Sequence, residues 1–548
     1  MNRLLFLTLA SVVPAISVLR AEPVTIQILA TTDMHGHLMP WDYFTARPAP
    51  RGLVKLATLI RELQAENPHT ILIDNGDTIQ GSTLEAVHQA AVRDGRAERP
   101  DPMVAAMNRL GYAALITGNH EFNFGLKNLE RARRESAFEW ISANISATDG
   151  SRPFRPYIIR RVAGVRVGVF GITTPNIPNW EKPENYAGYR FEPAVASARR
   201  AVADLRRRGC DMIVASVHAG LTPPSGQQDE NMADEIARQV PGIDALIFGH
   251  THMDTEELRI GSTVLTQPGR WAERLSVVRI SLEQVGGRWR VKSRTAKLLK
   301  VTAETREDPE LLALARPYHE EAERWLNRVV THSAVTLESR LGRAQDTALM
   351  DAIHAVQLHY TNADVSFTAL FNPRVRVTPG PVTARQLAAL YPYENDLYAI
   401  EGDGQMVKLA LENAARYYLP CPEPTCSTGP LSHPNLAGYN FDVAQGVEYE
   451  IDLTRPLGNR IVNLRFRGEL LAPDRKLRIA LNSYRAAGSN GYSMFRNAPV
   501  RWRSQRSMTD LIIEYFAQGR PLPAAPDHNW RILPLAAQQV IAFEAGRH

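Results

Sequence analysis

Carboxylate, amide and imidazole side chains recur directly after apolar, strand-like runs in the first half of the chain. The run 26–30 leads into Asp33 and His35, and the run 70–73 leads into Asp77. Later apolar runs are followed by the remaining polar residues of this pattern: Asn119 and His120, His218, and His250 and His252. Mixed His, Asp and Asn ligands suit zinc, manganese or cobalt, and one carboxylate can bridge two such ions. The pattern predicts a site for two divalent metal ions.

The elements that must position these residues follow an α/β pattern. Short apolar runs alternate with helical stretches from Val24 to about Arg270, and the helical periodicity is clearest over 53–63. Because polar groups that follow parallel strands meet at the carboxyl edge of a sheet, we expect all of them at one edge of one sheet. Glycines next to the ligands, such as Gly76 and Gly118, allow the tight turns this placement requires.

The length of 548 residues and a change of pattern predict two domains. Residues 22–302 form the predicted catalytic domain, and a charged helical segment over 303–330 is the predicted connector. From residue 331 to residue 548 the pattern is α+β, with helices over 348–360 and 404–417 and strands such as 446–453 and 477–481.

The first 21 residues resemble a secretory signal sequence. Arg3 precedes an apolar run over 4–19, and Ala21 offers a small residue for cleavage. A membrane anchor is the alternative, but the run is short and Arg20 stands at its end. We expect a periplasmic or secreted protein without stable membrane insertion.

Cysteine content and charge constrain the remaining possibilities. Cys421 and Cys426 are spaced to close one small disulfide, a C-x4-C pair alone is weak evidence for zinc, and Cys210 is expected to be a buried thiol. The 63 basic and 58 acidic residues are spread along the chain, so no nucleic-acid polymer is an expected partner. We expect a monomer that acts on nucleotide-sized substrates.

Two motifs carry a family resemblance. The segments 28–38 and 118–123 resemble the signatures of the 5′-nucleotidase family within the calcineurin-like metallophosphoesterases. The resemblance implies a four-layer α/β/β/α metallophosphoesterase domain followed by an α+β 5′-nucleotidase C-terminal domain. It also implies one metal held by Asp33, His35, Asp77 and His252, and a second held by Asp77, Asn119, His218 and His250, with Asp77 as the bridge.

The resemblance assigns a separate role to His120. This histidine is not a ligand and would stabilise the charge that departs with the leaving group. Many 5′-nucleotidases have Asp where this chain has Asn123, which can accept a hydrogen bond from the imidazole but cannot stabilise an imidazolium by charge. Asn123, together with the segment 75–82, resembles the 2′,3′-cyclic-nucleotide 2′-phosphodiesterase/3′-nucleotidase branch.

The C-terminal domain is expected to bind the nucleotide. In this family two aromatic rings sandwich the base, and Tyr439 and Tyr492 are the candidates, with Phe441 and Phe495 as the nearest substitutes. Stacking would tolerate different bases because every base offers a π face. The glycine-rich arginine motif typical of 5′-nucleotidases is missing, and Arg374, Arg376 and Arg485 are the candidates for phosphate contact.

Three functions compete at this stage. The first is hydrolysis of 2′,3′-cyclic nucleotides to 3′-nucleotides, followed by removal of the 3′-phosphate. The second is a 5′-nucleotidase or nucleotide-sugar hydrolase that uses the same metal site. The third is an inactive nucleotide-binding surface protein, which is disfavoured because all seven ligand residues are present.

Overall fold

The computed structural model describes residues 23–222, 230–393, 395–422 and 425–547, so the predicted signal sequence lies outside the described residues. The first half of the chain forms two six-stranded sheets. In spatial order, the first sheet consists of Arg288–Lys300, Arg274–Val285, Val24–Thr31, Thr70–Asp74, Ala114–Ile116 and Glu139–Ile141. The second consists of Asp254–Ile260, Thr263–Pro268, Ala245–Phe248, Met212–His218, Val165–Thr173 and Tyr157–Val162.

The two sheets pack face to face. Alternate residues of each strand point into one buried apolar layer, to which Ile26, Ile28 and Ile73 contribute from the first sheet and Val167 and Val214 from the second. The opposite face of the first sheet is covered by helices Leu53–Glu66, Thr83–Arg93, Pro102–Leu110 and Gly125–Glu135. Helices Ala194–Arg207 and Ala233–Gln239 cover the outer face of the second. This arrangement is the predicted α/β/β/α order.

One expectation about this domain is wrong. The ligand residues do not lie at one edge of one sheet, since Asp33, His35, Asp77 and Asn119 follow strands of the first sheet and His218, His250 and His252 follow strands of the second. The strand Val165–Thr173 pairs with Met212–His218 and begins a separate sheet. The site therefore forms where the carboxyl ends of two packed sheets meet.

Helix Pro309–Asn327 lies in the segment predicted as a connector, and it contacts both halves of the chain. Arg61 of the first half donates to Asp308 at its N-cap at 2.6 Å, and the Trp41 indole donates to Glu323 at 3.0 Å. From the second half, Arg385 donates to the Glu323 carboxylate at 2.8 Å. These polar contacts hold the helix against both domains.

The second half of the chain is α+β. Its main sheet consists of Asp442–Gln445, Val365–Ala369, Lys476–Asn482, Asp396–Asp403 and Val500–Ser507, and a smaller one of Glu469–Leu470, Ile461–Phe466, Glu448–Asp452 and Trp530–Leu533. The principal helices are Ala348–Thr361, Ala384–Ala388, Gly404–Ala415, Met508–Ala517 and Leu535–Arg547. The helices and strands predicted here are confirmed within a few residues at each end.

Cysteine placement agrees with the sequence-based expectation. Cys421 and Cys426 form a disulfide, and Cys210 is a buried free thiol. Within the described ranges, no helix combines the length and apolar character needed to cross a bilayer.

Candidate active site

Two groups of potential ligands meet at the junction of the sheets. In the first group, the Nε2 atoms of His35 and His252 are 3.0 Å apart, and His252 Nε2 is 3.5 Å from Asp33 Oδ1. In the second, His218 Nε2 is 3.0 Å from Asp77 Oδ2 and 3.2 Å from Asn119 Oδ1. His250 completes the second group, with its ligand atom within 4.8 Å of those of Asp77 and His218.

Asp77 joins the two groups. Its Oδ2 atom is 3.0 Å from His218 Nε2 and 4.0 Å from His35 Nε2, yet this buried oxygen accepts no hydrogen bond from the described residues. A buried carboxylate oxygen without a donor is costly unless a cation occupies the space beside it. A cation would also stabilise the Nε2 atoms of His35 and His252, which face each other at 3.0 Å. The donor set therefore fits two divalent ions that share Asp77.

The backbone holds these side chains in a conformation that most residues avoid. Positive φ angles occur at Asp33 (48°), His35 (47°), Asp77 (57°), His250 (71°) and His252 (58°). A left-handed backbone is unfavourable at non-glycine residues and persists where surrounding structure enforces it, often at functional sites. Five of the seven predicted ligands thus share a strained backbone that aims them at a common centre.

Glycine is required beside the ligands for space as well as for conformation. Gly76 has a φ of 94°, so its role in the turn is the predicted one. At Gly118 a Cβ atom would lie 2.3 Å from the Asp77 Oδ1 atom. Any larger residue at position 118 would displace the Asp77 carboxylate.

Neighbouring histidines keep the carboxylates of Asp33 and Asp77 ionised. Burial alone would raise the pKa of Asp33, but the hydrogen bond with His252 and the charge of His218 outweigh it and lower that pKa to about 2. Asp77 follows the same balance, because His218 and His120 hold its pKa well below the usual range despite burial. Burial lowers the pKa of His35 to about 3, with a further contribution from His252.

Two further residues, Glu121 and Asn75, orient the ligand residues through hydrogen bonds, and neither of them was identified from the sequence. The Glu121 carboxylate is fully buried and accepts from the backbone N–H groups of Asp77 at 2.9 Å, Thr78 at 2.6 Å and Gly118 at 2.7 Å. The other ring nitrogen of His218 bonds to the Asn75 carbonyl at 2.7 Å, which leaves Nε2 for the site. Glu121 stands inside the recognised motif, so its position was a signal that could have found it.

His120 lies beside the predicted bridge and is not a member of either group. Its backbone N–H donates to Asp77 Oδ1 at 2.8 Å, and its Nε2 is 4.0 Å from Asp77 Oδ2. Its Nδ1 is 2.6 Å from the Asn123 Oδ1 atom. His120 therefore presents Nε2 to the centre and Nδ1 to Asn123, the arrangement expected of a proton donor that is not a ligand.

The C-terminal domain closes one side of the site. The Tyr484 ring stacks on Trp180 with centroids 6.4 Å apart, and Trp180 stacks on His250 at 5.3 Å. Across the same boundary, Lys182 Nζ is 2.9 Å from Asp396 Oδ1. A small pocket remains between the domains, lined by Asn119, His120, Asn123, Ile177, Trp180, Glu181, Asn395, Asp396, Ser483 and Tyr484.

The candidate base-stacking residues differ in exposure. Tyr439 is 43% exposed and is free to stack on a ligand, whereas Tyr492 is 0% exposed. The Tyr492 hydroxyl donates to the Asn440 carbonyl at 3.1 Å, and its ring stacks on Phe495. Both substitutes, Phe441 and Phe495, are buried as well. Tyr492 is therefore a core residue in this structure, and its ring has no face open to a base.

The contacts of the three candidate arginines lie outside the two ligand groups. Arg485 is buried in a bidentate pair with Asp442, with both N–O distances 2.8 Å, and it donates to the Tyr439 carbonyl at 2.6 Å. Arg376 is exposed and pairs with Glu338 at 3.2 Å, and Arg374 is exposed. Arg485 thus supports the Tyr439 segment, and a buried pair of this kind is a structural contact in place of the predicted phosphate contact.

Comparison with known proteins agrees with this geometry. Residues 26–254 match the family model for calcineurin-like phosphoesterases, and residues 329–497 match that for the 5′-nucleotidase C-terminal domain. The chain is 30% identical to the 2′,3′-cyclic-nucleotide 2′-phosphodiesterase/3′-nucleotidase of Haemophilus influenzae, covering 93% of this chain and 88% of the relative. It is also 25% identical to the trifunctional nucleotide phosphoesterase YfkN of Bacillus subtilis, of whose length it spans 40%.

A solved structure shows the same two-domain arrangement. A Staphylococcus aureus protein solved as a 5′-nucleotidase superposes with a TM-score of 0.79 at 26% identity, covering 93% of this chain and 100% of that one. Both family models, the relative at 30% identity and the paired ligand groups lead to one conclusion. The chain belongs to the 5′-nucleotidase family of calcineurin-like, metal-dependent phosphoric ester hydrolases.

Proposed function

We propose that this enzyme binds two divalent ions and hydrolyses 2′,3′-cyclic nucleotides to 3′-nucleotides, and then 3′-nucleotides to nucleosides and phosphate. The observation that carries the proposal is the buried Asp77 Oδ2 atom, which has no hydrogen-bond donor and lies between two histidine-containing groups. The substrate class is supported by relatives with this activity from Haemophilus, Salmonella and Yersinia, at 28–30% identity over most of the chain.

Seven residues are assigned to metal binding, and His120 is assigned to proton transfer. Bound at Asp33, His35, Asp77, Asn119, His218, His250 and His252, two divalent ions would supply Lewis-acid stabilisation of the phosphoryl oxygens and an activated water. His120 Nε2 stands 4.0 Å from Asp77 Oδ2, and we assign to it the transfer of a proton to the leaving oxygen. In the first reaction a water oxygen bonds to phosphorus, the P–O2′ bond breaks and the 2′-oxygen gains a proton. In the second a water oxygen bonds to phosphorus, the P–O3′ bond breaks and the 3′-oxygen gains a proton.

We assign the nucleobase to two exposed aromatic side chains of the C-terminal domain. Tyr439 and Tyr393 are each 43% exposed, and burial together with the nearby Tyr439 phenol raises the pKa of Tyr393. The sequence did not single out Tyr393 as a site residue. Stacking on exposed phenol rings fits a substrate class defined by its phosphate and ribose more than by its base.

The test compares three substrates with one protein preparation. Chelator-treated protein is supplied with manganese, zinc or cobalt, and phosphate release from 2′,3′-cyclic AMP, 3′-AMP and 5′-AMP is measured, with added phosphatase for the cyclic substrate. We expect metal-dependent turnover of the first two and weaker turnover of 5′-AMP. Preference for 5′-AMP would favour the second candidate, a 5′-nucleotidase, which the similarity to the Staphylococcus aureus structure supports.

We also propose that the enzyme works outside the cytoplasm. The Cys421–Cys426 disulfide supports this location, because structural disulfides persist in oxidising compartments. Fractionation of cells that produce the full chain tests it, and recovery of the enzyme with cytoplasmic markers would contradict it.

A further inference from the structure

A chain of short hydrogen bonds leads away from His120 into the protein. His120 Nδ1 is 2.6 Å from Asn123 Oδ1, and Asn123 Nδ2 is 2.6 Å from Glu181 Oε2. Glu181 is 58 residues from Asn123 in the sequence and is only 8% exposed. His120 is therefore connected through one amide to a buried carboxylate.

The carboxylate fixes the direction of every bond in this chain. Glu181 Oε1 accepts from the Lys182 backbone N–H at 2.7 Å and from Asn185 Nδ2 at 2.8 Å, so three donors point at its two oxygens. An ionised carboxylate only accepts hydrogen bonds, so the Asn123 amide must turn its NH₂ group toward Glu181. The Asn123 oxygen then faces His120 Nδ1, which must be the protonated nitrogen.

We propose that Glu181 is a positioning residue that acts through Asn123 on His120, and this inference rests on the proposed function. By holding the proton on Nδ1, it leaves Nε2 as the nitrogen that exchanges a proton with the leaving oxygen. Its negative charge polarises the Asn123 amide and supplies, one residue further out, the charge that Asn123 lacks. The His120–Asn123–Glu181 chain thus replaces a direct histidine–carboxylate pair.

The surroundings keep Glu181 in place. Glu181 directly follows helix Ile177–Trp180, and its own backbone N–H donates to the Ile177 carbonyl at 2.9 Å. The next residue, Lys182, bonds to Asp396 of the C-terminal domain at 2.9 Å. The backbone that carries Glu181 is thus held by a contact within the catalytic domain and, through Lys182, by a contact with the C-terminal domain.

The first experiment measures how rate depends on the leaving group. A series of aryl phosphates, from 4-nitrophenyl to phenyl phosphate, is compared with 3′-AMP for the wild type, Glu181→Gln and the exposed neighbour Glu184→Gln as control. We expect Glu181→Gln to lower kcat about 10- to 100-fold on 3′-AMP and phenyl phosphate, but much less on 4-nitrophenyl phosphate, whose leaving group needs no proton. Bound metal per chain should stay unchanged, and Glu184→Gln should match the wild type.

A reciprocal exchange distinguishes positioning from general structural support. Asn123→Asp alone would place two carboxylates against each other, and we expect it to lower kcat on 3′-AMP. Combining Asn123→Asp with Glu181→Gln moves the charge next to His120 and replaces the outer carboxylate by an amide that can donate. We expect this double variant to recover most of the lost kcat and to show the wild-type dependence on leaving group.

Two results would overturn the inference. One is a Glu181→Gln variant with wild-type kcat across the aryl series, and the other is a double variant no faster than the slower single variant. The outcome is separable from that of the proposed function. A wild type that cleaves aryl phosphates but neither 3′-AMP nor 2′,3′-cyclic AMP contradicts the proposed substrate, whereas the aryl series still tests Glu181.

Discussion

Two clusters of acidic residues in this enzyme show opposite behaviour. In the catalytic domain, Asp33 and Asp77 lie among histidines, which hold the pKa of both carboxyls low despite burial. In the C-terminal domain, Asp346, Asp351 and Asp527 place their carboxylate oxygens within 4.8 Å of one another. Burial, and then the charges of Asp346 and Asp527, raise the pKa of Asp351 to about 8.

The neighbours account for the difference. Imidazoles placed between carboxylates stabilise the ionised form and turn their nitrogens toward a shared centre, whereas carboxylates grouped without cations favour the protonated form. Proximity of acidic residues alone therefore does not identify a metal site. The informative feature of the catalytic cluster is the alternation of Asp with His after successive strands.

The largest expected effect separates the two clusters by activity. Asp77→Asn removes the shared charge between the two ligand groups, and we expect kcat to fall about 10³-fold or more together with loss of bound metal. Asp527→Asn, the matched change in the acidic cluster, should leave kcat and metal content unchanged. Turnover of 3′-AMP and elemental analysis of both variants test this. Equal losses of kcat and bound metal in the two variants would contradict the distinction between the two clusters.

The next effect compares two tyrosines of the C-terminal domain. Tyr439→Ala removes an exposed ring, and we expect KM for 3′-AMP to rise by a factor that corresponds to about 1–3 kcal/mol, with little change in melting temperature. Tyr492→Ala removes a fully buried ring, and we expect it to destabilise the fold by about 3–5 kcal/mol. Steady-state kinetics and thermal unfolding of both variants test these expectations. A Tyr492→Ala protein with unchanged stability and raised KM would indicate that the Tyr492 ring contacts the base.

The smallest effect is a pH-dependent gain in stability from Asp351→Asn. Because the folded state raises the pKa of Asp351 to about 8, the wild-type side chain contributes stability below the unfolded value of 3.8 and loses it as the pH rises toward 8. The variant should match the wild type near pH 4 and exceed it by about 1–2 kcal/mol near pH 8.5, since solvent screens a partly exposed group. Melting temperatures across this range test it; an equal shift at every pH would contradict it.

The sequence alone predicted the ligand residues but not the assignment of their strands to two sheets. Each strand of the catalytic domain that leads into a ligand has a clear apolar run, so the polar residues after it stood out. Sheet membership could not be predicted, because Ala114–Ile116 and Val165–Thr173 share that pattern and only strand pairing assigns them to different sheets. The role of Glu181 could not be predicted for a similar reason, because its partner Asn123 is 58 residues away in the sequence.

The C-terminal domain was less predictable at the level of single residues. Tyr492 follows a glycine in a segment that reads as an exposed loop, but its ring packs on Phe495 and its hydroxyl bonds to the Asn440 carbonyl. Arg485 resembled a phosphate ligand until its partner Asp442 was known. In both cases a residue distant in sequence satisfies the polar group, and only the tertiary structure reveals it.

The central claim is that Asp77 is shared by two metal ions, and anomalous diffraction from crystals grown with manganese tests it most directly. The account predicts two ions about 3.5–4 Å apart, one beside Asp33, His35 and His252 and the other beside Asn119, His218 and His250, with Asp77 between them. A single ion, or two ions that Asp77 does not contact, would contradict it.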